Sequence, residues 1–548
     1  MKTFSAKTRI ENLQKLKDTE FDLLVVGGGI LGAGIARDAA SRGMKVALLE
    51  KSDFAWGTSS RSSKLVHGGI RYLENLEFGL VFEALNEREK LYELAPHLVH
   101  SLRFLLPIYE NSRVGFFKMG MGMWLYDVLA LFQSQLHESL DPQETSERMP
   151  WMKTDGLVGS FVYSDAYMDD DRLVTETLRS ANELGATIVN YTKATKAITS
   201  PFGRVMGVVA KDELNAKSSP FEVRAKHVVS CVGPWTDEVA PSLDNSWKRS
   251  LRPTKGIHIT LAKDRLPLKE AVVMAVDSEN RIVFAIPRHE MIVIGTTDTD
   301  FKDSPDSVTA NSADVKYVLK VANEYFPGAQ LTSEDIIATY AGVRPLVEDG
   351  SQSEGKTSRE HKIMTTENGV TFVMGGKYTT YRLIAEEATE QALKDFNRED
   401  QATFATNKTD LPLNPYCSPD NYHRALVMRD YWSQTYHLSA EDTSKLAFRH
   451  GMEAEEMLKH GYGQSLTRLE MELLHAIRNT MCLNLVDFYT RRCPLFLSEP
   501  DHGLSSLDVL GLLAQNELGW SNAELENQKQ GVKKYIAQEL SWQASKTQ

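Results

Sequence analysis

The first place where apolar residues stop alternating with polar ones is Phe21-Asp22-Leu23-Leu24-Val25-Val26, a run that ends at Gly27-Gly28-Gly29. A short β-rich run closed by glycines is the pattern of a strand buried on both faces of a parallel sheet. From Ile30 to Arg42 the pattern turns helical, with small residues Ala33, Gly34 and Ala36 for close packing and Gly43 as a stop. Lys45–Glu50 reads as a second strand ending in an acid, which completes a βαβ unit. Ahead of it, residues 1–20 predict a short helix with Phe4, Ile10, Leu13 and Leu16 on one side. Residues 51–75, rich in Ser and Gly, read as loop, and Glu77–Leu94 as a helix stopping before Pro96. Strands are predicted at Thr187–Tyr191, Val205–Lys211, Lys226–Val232, Gly256–Leu261, Arg281–Ile286, Met291–Thr296 and Val370–Met374. After the last come Gly375-Gly376 and a helix through Lys394. Strands that do not alternate strictly with helices predict a mixed sheet inserted into a Rossmann-like α/β domain. Polar residues 396–421 mark a boundary, and the remainder reads as helix. The division expected is a 1–19 extension, a 20–392 core, a 393–420 linker and an all-α domain over 421–548.

Gly27-x-Gly29-x-x-Gly32 lies where the first strand hands over to its helix. The first glycine permits the tight turn, the second admits a pyrophosphate close to the backbone, and the third lets helix and strand pack. The anion then meets unpaired N–H groups at the positive end of the helix dipole. Glu50 stands where an acid hydrogen-bonds a ribose, about 20 residues further on. Its charge disfavours a 2′-phosphate, so FAD or NAD is expected. The fingerprint near one end of the core and the late strand–Gly-Gly–helix element near the other favour a flavin.

Composition narrows the picture. With 548 residues, 42% hydrophobic, the chain needs no stapling to fold. The net charge of −12 argues against nucleic acid but leaves an anionic small substrate open, since a few arginines in one pocket set the local field. Cys231, Cys417, Cys482 and Cys493 form no CxxC pair and no zinc spacing, which predicts buried reduced thiols and no metal. Met1–Asp22 carries no secretory pattern. The apolar stretch Val114–Phe132 includes Lys118, Asp127 and three glycines, so a buried or interfacial helix fits better than a membrane span.

The segment Gly57-Thr58-Ser59-Ser60-Arg61-Ser62-Ser63-Lys64-Leu65-Val66-His67-Gly68-Gly69-Ile70-Arg71-Tyr72-Leu73-Glu74 resembles the signature of FAD-dependent, quinone-linked glycerol-3-phosphate dehydrogenases. The likeness continues through Cys231-Val232-Gly233-Pro234-Trp235, Lys255-Gly256-Ile257-His258, Ile294–Asp298, Tyr340–Leu346, Gly375–Arg382 and Leu485–Arg492. It implies FAD as cofactor, sn-glycerol 3-phosphate as substrate and a quinone-type electron acceptor. It also implies a peripheral place on the cytoplasmic face of the cell membrane; a homodimer is left open. A phosphate dianion calls for two or three fixed cations, best supplied by Arg. The resemblance puts Arg71, Tyr72, Arg344, Arg359 and Lys377 in the substrate pocket. His258 is the first choice of base and His67 the second, with Arg344 and Lys377 as charge partners of the reacting centre. Cofactor contacts are expected from Gly27, Gly29, Gly32, Glu50, Ser59, Ser60, Ser63, His67, Gly233, Gly376, Thr379 and Thr380. Related oxidases carry a longer insertion before the Gly-Gly-Lys motif than Val347–Lys362, which favours a dehydrogenase. An oxygen-using oxidase, an amine-oxidising relative and a flavin-binding interaction module remain the alternatives.

Overall fold

The computed structural model describes residues 1–73, 77–215, 217–279, 281–348, 360–404 and 410–547. Its first sheet has a parallel centre in the spatial order Val370–Gly375, Phe221–Ser230, Glu20–Val26, Val46–Leu49, Thr187–Val189. The strand Glu20–Val26 is buried from Phe21 onward because both of its faces are covered. Leu23 and Val25 face the helices Ile30–Ser41, Asp170–Glu183 and Tyr381–Leu393, while Leu24 and Val26 face a layer that includes Val208, Leu243 and Phe372. Each such side chain contributes roughly 1.5–3 kcal/mol by burial, which explains why the run tolerates no polar alternation. A Cβ on Gly34 would lie 3.0 Å from the Cβ of Ala385, so the small residues of the first long helix are what let it nest against Tyr381–Leu393.

The second sheet is mostly antiparallel and is assembled from two stretches of chain. One stretch supplies Val99–Tyr109 and Leu157–Met168; the other supplies Leu251–Ala262, Ala271–Val276, Arg281–Arg288, Met291–Gly295 and Ile336–Val347. Between them the chain returns to the first sheet, so the second sheet enters in two pieces. The C-terminal helices Pro419–Tyr436, Ala440–His450, Glu453–Gln464 and Arg468–Asn479 enclose a small core around Trp432 and Leu458. Beyond them, Leu485, Phe488, Leu507 and Val532 join the same core as Phe104, Val293 and Tyr340 of the second sheet.

The structure departs from the sequence reading in several places. In the first helix, Ala6–Asp18, Ile10 is exposed, and the buried face is Thr8, Arg9, Asn12 and Leu16. Phe4 and Leu16 are buried and Leu13 is packed against the core as expected, and polar anchoring is added where Ile10 turns outward: Arg9 Nε donates to Asn190 O and its Nη2 pairs with Asp212 at 2.6 Å. Leu157–Met168 is a strand that no alternation announces, because Ser160, Ser164 and Asp165 are buried alongside its apolar residues. The linker region holds a short helix, Arg398–Thr403. Within Val114–Phe132, the helix Phe116–Leu129 turns Met123 and Tyr126 inward but leaves Phe117 81% and Trp124 59% exposed. All four cysteines are buried and free.

Candidate active site

The C-terminal ends of the parallel strands open into one continuous cleft whose far wall is the second sheet. At its near end Gly27 has a φ of +113° and leaves no room for a side chain, since a Cβ would sit 2.6 Å from Cys231 O. A Cβ on Gly32 would meet Gly27 O at 1.9 Å, so Gly32 is a packing glycine beneath the turn and does not line the cleft. Gly29 does, and Ser59 Oγ accepts from Ile30 N at 3.0 Å, which sets that hydroxyl at the first turn of the helix. Glu50 accepts Gly28 N at 2.7 Å and Ser52 N at 2.8 Å. Burial raises its pKa, and those two backbone donors pull the other way.

The other end is built on paired strands. Gly256 lies opposite Gly342, and His258 opposite Tyr340, in the antiparallel register of Leu251–Ala262 and Ile336–Val347. Because side chains alternate, His258, Tyr340 and Arg344 share the face that carries these two glycines. A Cβ on Gly256 would stand 2.3 Å from Arg344 Nη2, so the glycine is what lets the guanidinium lie across the strand. A Cβ on Gly342 would stand 2.7 Å from Arg61 O, so this second glycine admits the Ser-rich loop. Arg344 is held by Asp298 at 3.1 Å and by Thr296 Oγ1 at 2.9 Å. His258 is 2% exposed, stacks on Tyr340 with centroids 4.8 Å apart, and pairs its Nε2 with Ser63 Oγ at 2.9 Å. Among the described residues no group pairs with its Nδ1. Burial, then the charges of Arg344 and Lys64, hold its pKa well below the usual histidine value, so the ring is neutral.

The Gly375–Thr379 turn closes the cleft, with positive φ at Gly375 and Gly376. Lys377 lines it, and the His67 N–H donates to Thr379 Oγ1 at 3.2 Å, fastening the two loops together. The cleft thus brings together Gly27, Gly29, Glu50, Ser59, Ser63, His67, Gly233, His258, Arg344, Gly376, Lys377 and Thr379. Ser60 turns its hydroxyl toward Gly57 O, and Thr380 toward Lys377 O; neither lines the cleft. Both side chains satisfy local backbone acceptors instead. Arg71 and Tyr72 lie in the turn Ile70–Leu73 with side chains outside the described part, and Arg359 is outside the described residues.

Sequence reasoning missed the supports. Asp53 is clasped by Arg491 at 2.7 Å and Arg492 at 2.9 Å, and Arg61 by Glu539 at 2.8 Å; all of these pairs join the nucleotide-side loop to the C-terminal helices. Burial of Asp53 opposes its charge, but Arg492 and Arg491 outweigh it and lower the pKa. The adjacent Arg491-Arg492 was the available signal, since two arginines in an otherwise apolar segment call for a buried acid.

A glycine turn between a parallel strand and a helix, an acid on the second strand and a cation-bearing sheet across the cleft define a dinucleotide-dependent oxidoreductase. Residues 22–382 match the family described as FAD dependent oxidoreductase, and residues 421–525 the C-terminal domain of alpha-glycerophosphate oxidase. The aerobic glycerol-3-phosphate dehydrogenase of Staphylococcus saprophyticus is 34% identical over 527 residues, 94% of each chain. That of Staphylococcus aureus is 33% identical over 537 residues, 96% of each. The crystal structure of the glycerol-3-phosphate dehydrogenase from Bacillus halodurans complexed with FAD superposes with a TM-score of 0.79, at 28% identity, over 97% of this chain and 98% of that one. The chain belongs to this family of FAD-dependent aerobic glycerol-3-phosphate dehydrogenases. FAD is its cofactor, and the residues present fit it: a side-chain-free turn at a helix N-terminus, Glu50 beyond it, and the Gly375–Thr379 turn at the opposite end.

Proposed function

We propose that the protein oxidises sn-glycerol 3-phosphate to dihydroxyacetone phosphate and passes the electrons to a quinone-type acceptor at a membrane surface. The observation that carries this reading is the meeting of a neutral buried histidine with Arg344 and Lys377 in the cleft that begins at the dinucleotide turn. When bound, FAD supplies the hydride acceptor. The chain's own residues do the rest. Gly27, Gly29 and the first turn of the helix at Ile30 hold the pyrophosphate, and Glu50 the ribose. Arg344 and Lys377, with Arg71, Tyr72 and Arg359 as further candidates, seat the doubly charged phosphate ester. His258, neutral and lining the cleft, takes the hydroxyl proton while its Nε2 stays on Ser63. Arg344 offsets the negative charge that grows on the substrate oxygen as the proton leaves. We read residues 20–392 as the unit that performs this chemistry and 421–548 as its brace.

The membrane side rests on the helix Phe116–Leu129 and the turn that follows it. Phe117, Met121, Trp124, Val128, Leu131 and Phe132 are exposed, an apolar surface of the kind that beds into a lipid headgroup layer. No helix among the described residues is long and apolar enough to cross a membrane. Anaerobic addition of glycerol 3-phosphate is expected to bleach the flavin absorbance, and a soluble quinone to restore it faster than air does. No bleaching refutes the substrate; fast reoxidation in air with release of hydrogen peroxide refutes the quinone. The double substitution Phe117→Ser/Trp124→Ser is expected to reduce co-sedimentation with vesicles; unchanged binding refutes the bedding surface.

A further inference from the structure

Beneath the site lies a buried acid that neither the fingerprint nor the substrate clamp uses. Asp170 opens the helix Asp170–Glu183, is fully buried, and reaches the Ser-rich loop on both sides of Ser63. Its Oδ2 accepts from Ser62 Oγ at 2.7 Å and from Ser62 N at 3.3 Å, and its Oδ1 accepts from Lys64 Nζ at 2.5 Å. Ser62 Oγ in turn accepts from Lys64 N at 2.9 Å. Lys64, at φ +56°, is therefore fixed in a left-handed turn that a non-glycine residue enters only when its surroundings compel it. The residue caught between the two anchored neighbours is Ser63, whose hydroxyl meets His258 Nε2. Tyr340 completes the frame: its ring stacks on His258 and its OH donates to Ser62 O at 3.0 Å. Tyr378, on the closing turn of the cleft, donates to the backbone oxygen of Asp170 at 2.5 Å.

We propose that Asp170 is a positioning residue for proton transfer: by straddling Ser63 it aims that hydroxyl at His258, and Ser63 fixes the ring tautomer with the proton on Nε2 and the lone pair on Nδ1. The tautomer follows from two facts. Nε2 has an acceptor within reach, and an unpartnered buried N–H is rarer and costlier than an unpartnered buried acceptor. In this arrangement the substrate hydroxyl proton passes to Nδ1 as the substrate is oxidised and FAD reduced, and the Nε2–H remains on Ser63. Burial keeps the ring neutral, and four groups act on it: Arg344 and Lys64 add to the effect of burial, Tyr340 stacks on one face, and Ser63 holds one nitrogen. The inference rests on His258 being the base.

The test is stopped-flow flavin reduction by glycerol 3-phosphate under anaerobic conditions, over a range of pH, with the full-length holoenzyme. Ser63→Ala and Asp170→Ala are each expected to retain FAD and to lower the limiting reduction rate about 10- to 100-fold while leaving the half-saturating substrate concentration near the wild-type value. The double variant is expected to be no slower than the slower single, because both act through one ring. The two singles are also expected to show the same altered pH dependence. Multiplicative losses, or a wild-type pH dependence in either variant, overturn the proposal. If Asp170→Ala does not hold FAD, Ser62→Ala, which removes only the hydroxyl between Asp170 and the loop, enters the same cycle with the same expectations. His258→Asn separates the two levels of the argument. Fast reduction in that variant refutes the base itself, whereas slow reduction there beside unaffected Ser63→Ala and Asp170→Ala refutes only the positioning role.

Discussion

The two ends of the cleft are built by different means. At the nucleotide end the cleft presents backbone: a turn emptied of side chains by Gly27, a helix start at Ile30, and Glu50 reached through a short strand. The whole device fits inside one βαβ unit. At the end we propose for the substrate the cleft presents side chains, each set in place by something distant in sequence. Arg344 depends on Asp298 and on the bare floor at Gly256; His258 depends on Ser63 and Tyr340. A backbone-built site fails through loss of shape, whereas a side-chain-built site fails through loss of charge or aim.

The contrast can be broken in a definite order. Gly32→Ala is expected to have the largest effect, because no rearrangement short of moving the turn relieves a Cβ 1.9 Å from Gly27 O. Purified protein should come off the column colourless; a yellow, active variant would show that the turn is more forgiving than its packing implies. Arg344→Ala should do the reverse, holding FAD while losing about 100-fold or more in turnover with glycerol 3-phosphate. Colour loss in that variant would erase the distinction between the two ends. Asp53→Asn should cost about 3–5 kcal/mol, because it leaves the buried Arg492 against a neutral partner, while Arg491 keeps Asp487 at 2.7 Å. Thermal melts followed by flavin fluorescence should show release at lower temperature; an unchanged melt would mean that the C-terminal helices do not brace the nucleotide loop.

A smaller effect should appear with acid. Burial holds His100 and His450 down to about 3, between the second sheet and the C-terminal helices. In the unfolded chain both titrate near 6.5, so as pH falls below that value the unfolded state gains protons that the folded state refuses. Stability is therefore complete above about pH 6.5 and declines toward pH 3, by roughly 2 kcal/mol per histidine between pH 6.5 and 5. Denaturant midpoints equal at pH 7.5 and 5 would contradict this. At the substrate end the same physics keeps His258 neutral, so the flavin-reduction rate is expected to lack an acid limb near 6.5.

How much of this was legible follows from the same contrast. The nucleotide end can be read residue by residue, since glycines, an apolar strand and an acid carry their meaning locally. The substrate end is legible only as a set of motifs, and the role of Gly256 emerges once its strand is seen beside Gly342. Long strands such as Leu157–Met168 escape because buried serines and an acid interrupt their pattern. Ser60 and Thr380 stand outside the cleft lining for another reason: a hydroxyl in a Gly-rich motif can turn toward its own backbone, as both do. The Asp169-Asp170-Asp171 run carries no sign of its partners, which lie at Lys64 and Arg288.

The interleaving of the two sheets has a consequence for synthesis. The central strand Glu20–Val26 leaves the ribosome before its neighbour Phe221–Ser230, which follows some two hundred residues later, and Val370–Gly375 comes later still. The clasp on Asp53 waits for Arg491 and Arg492, more than four hundred residues after it. An incomplete nascent chain therefore shows unpaired strand edges for most of its elongation, the state in which chains recruit chaperones or aggregate.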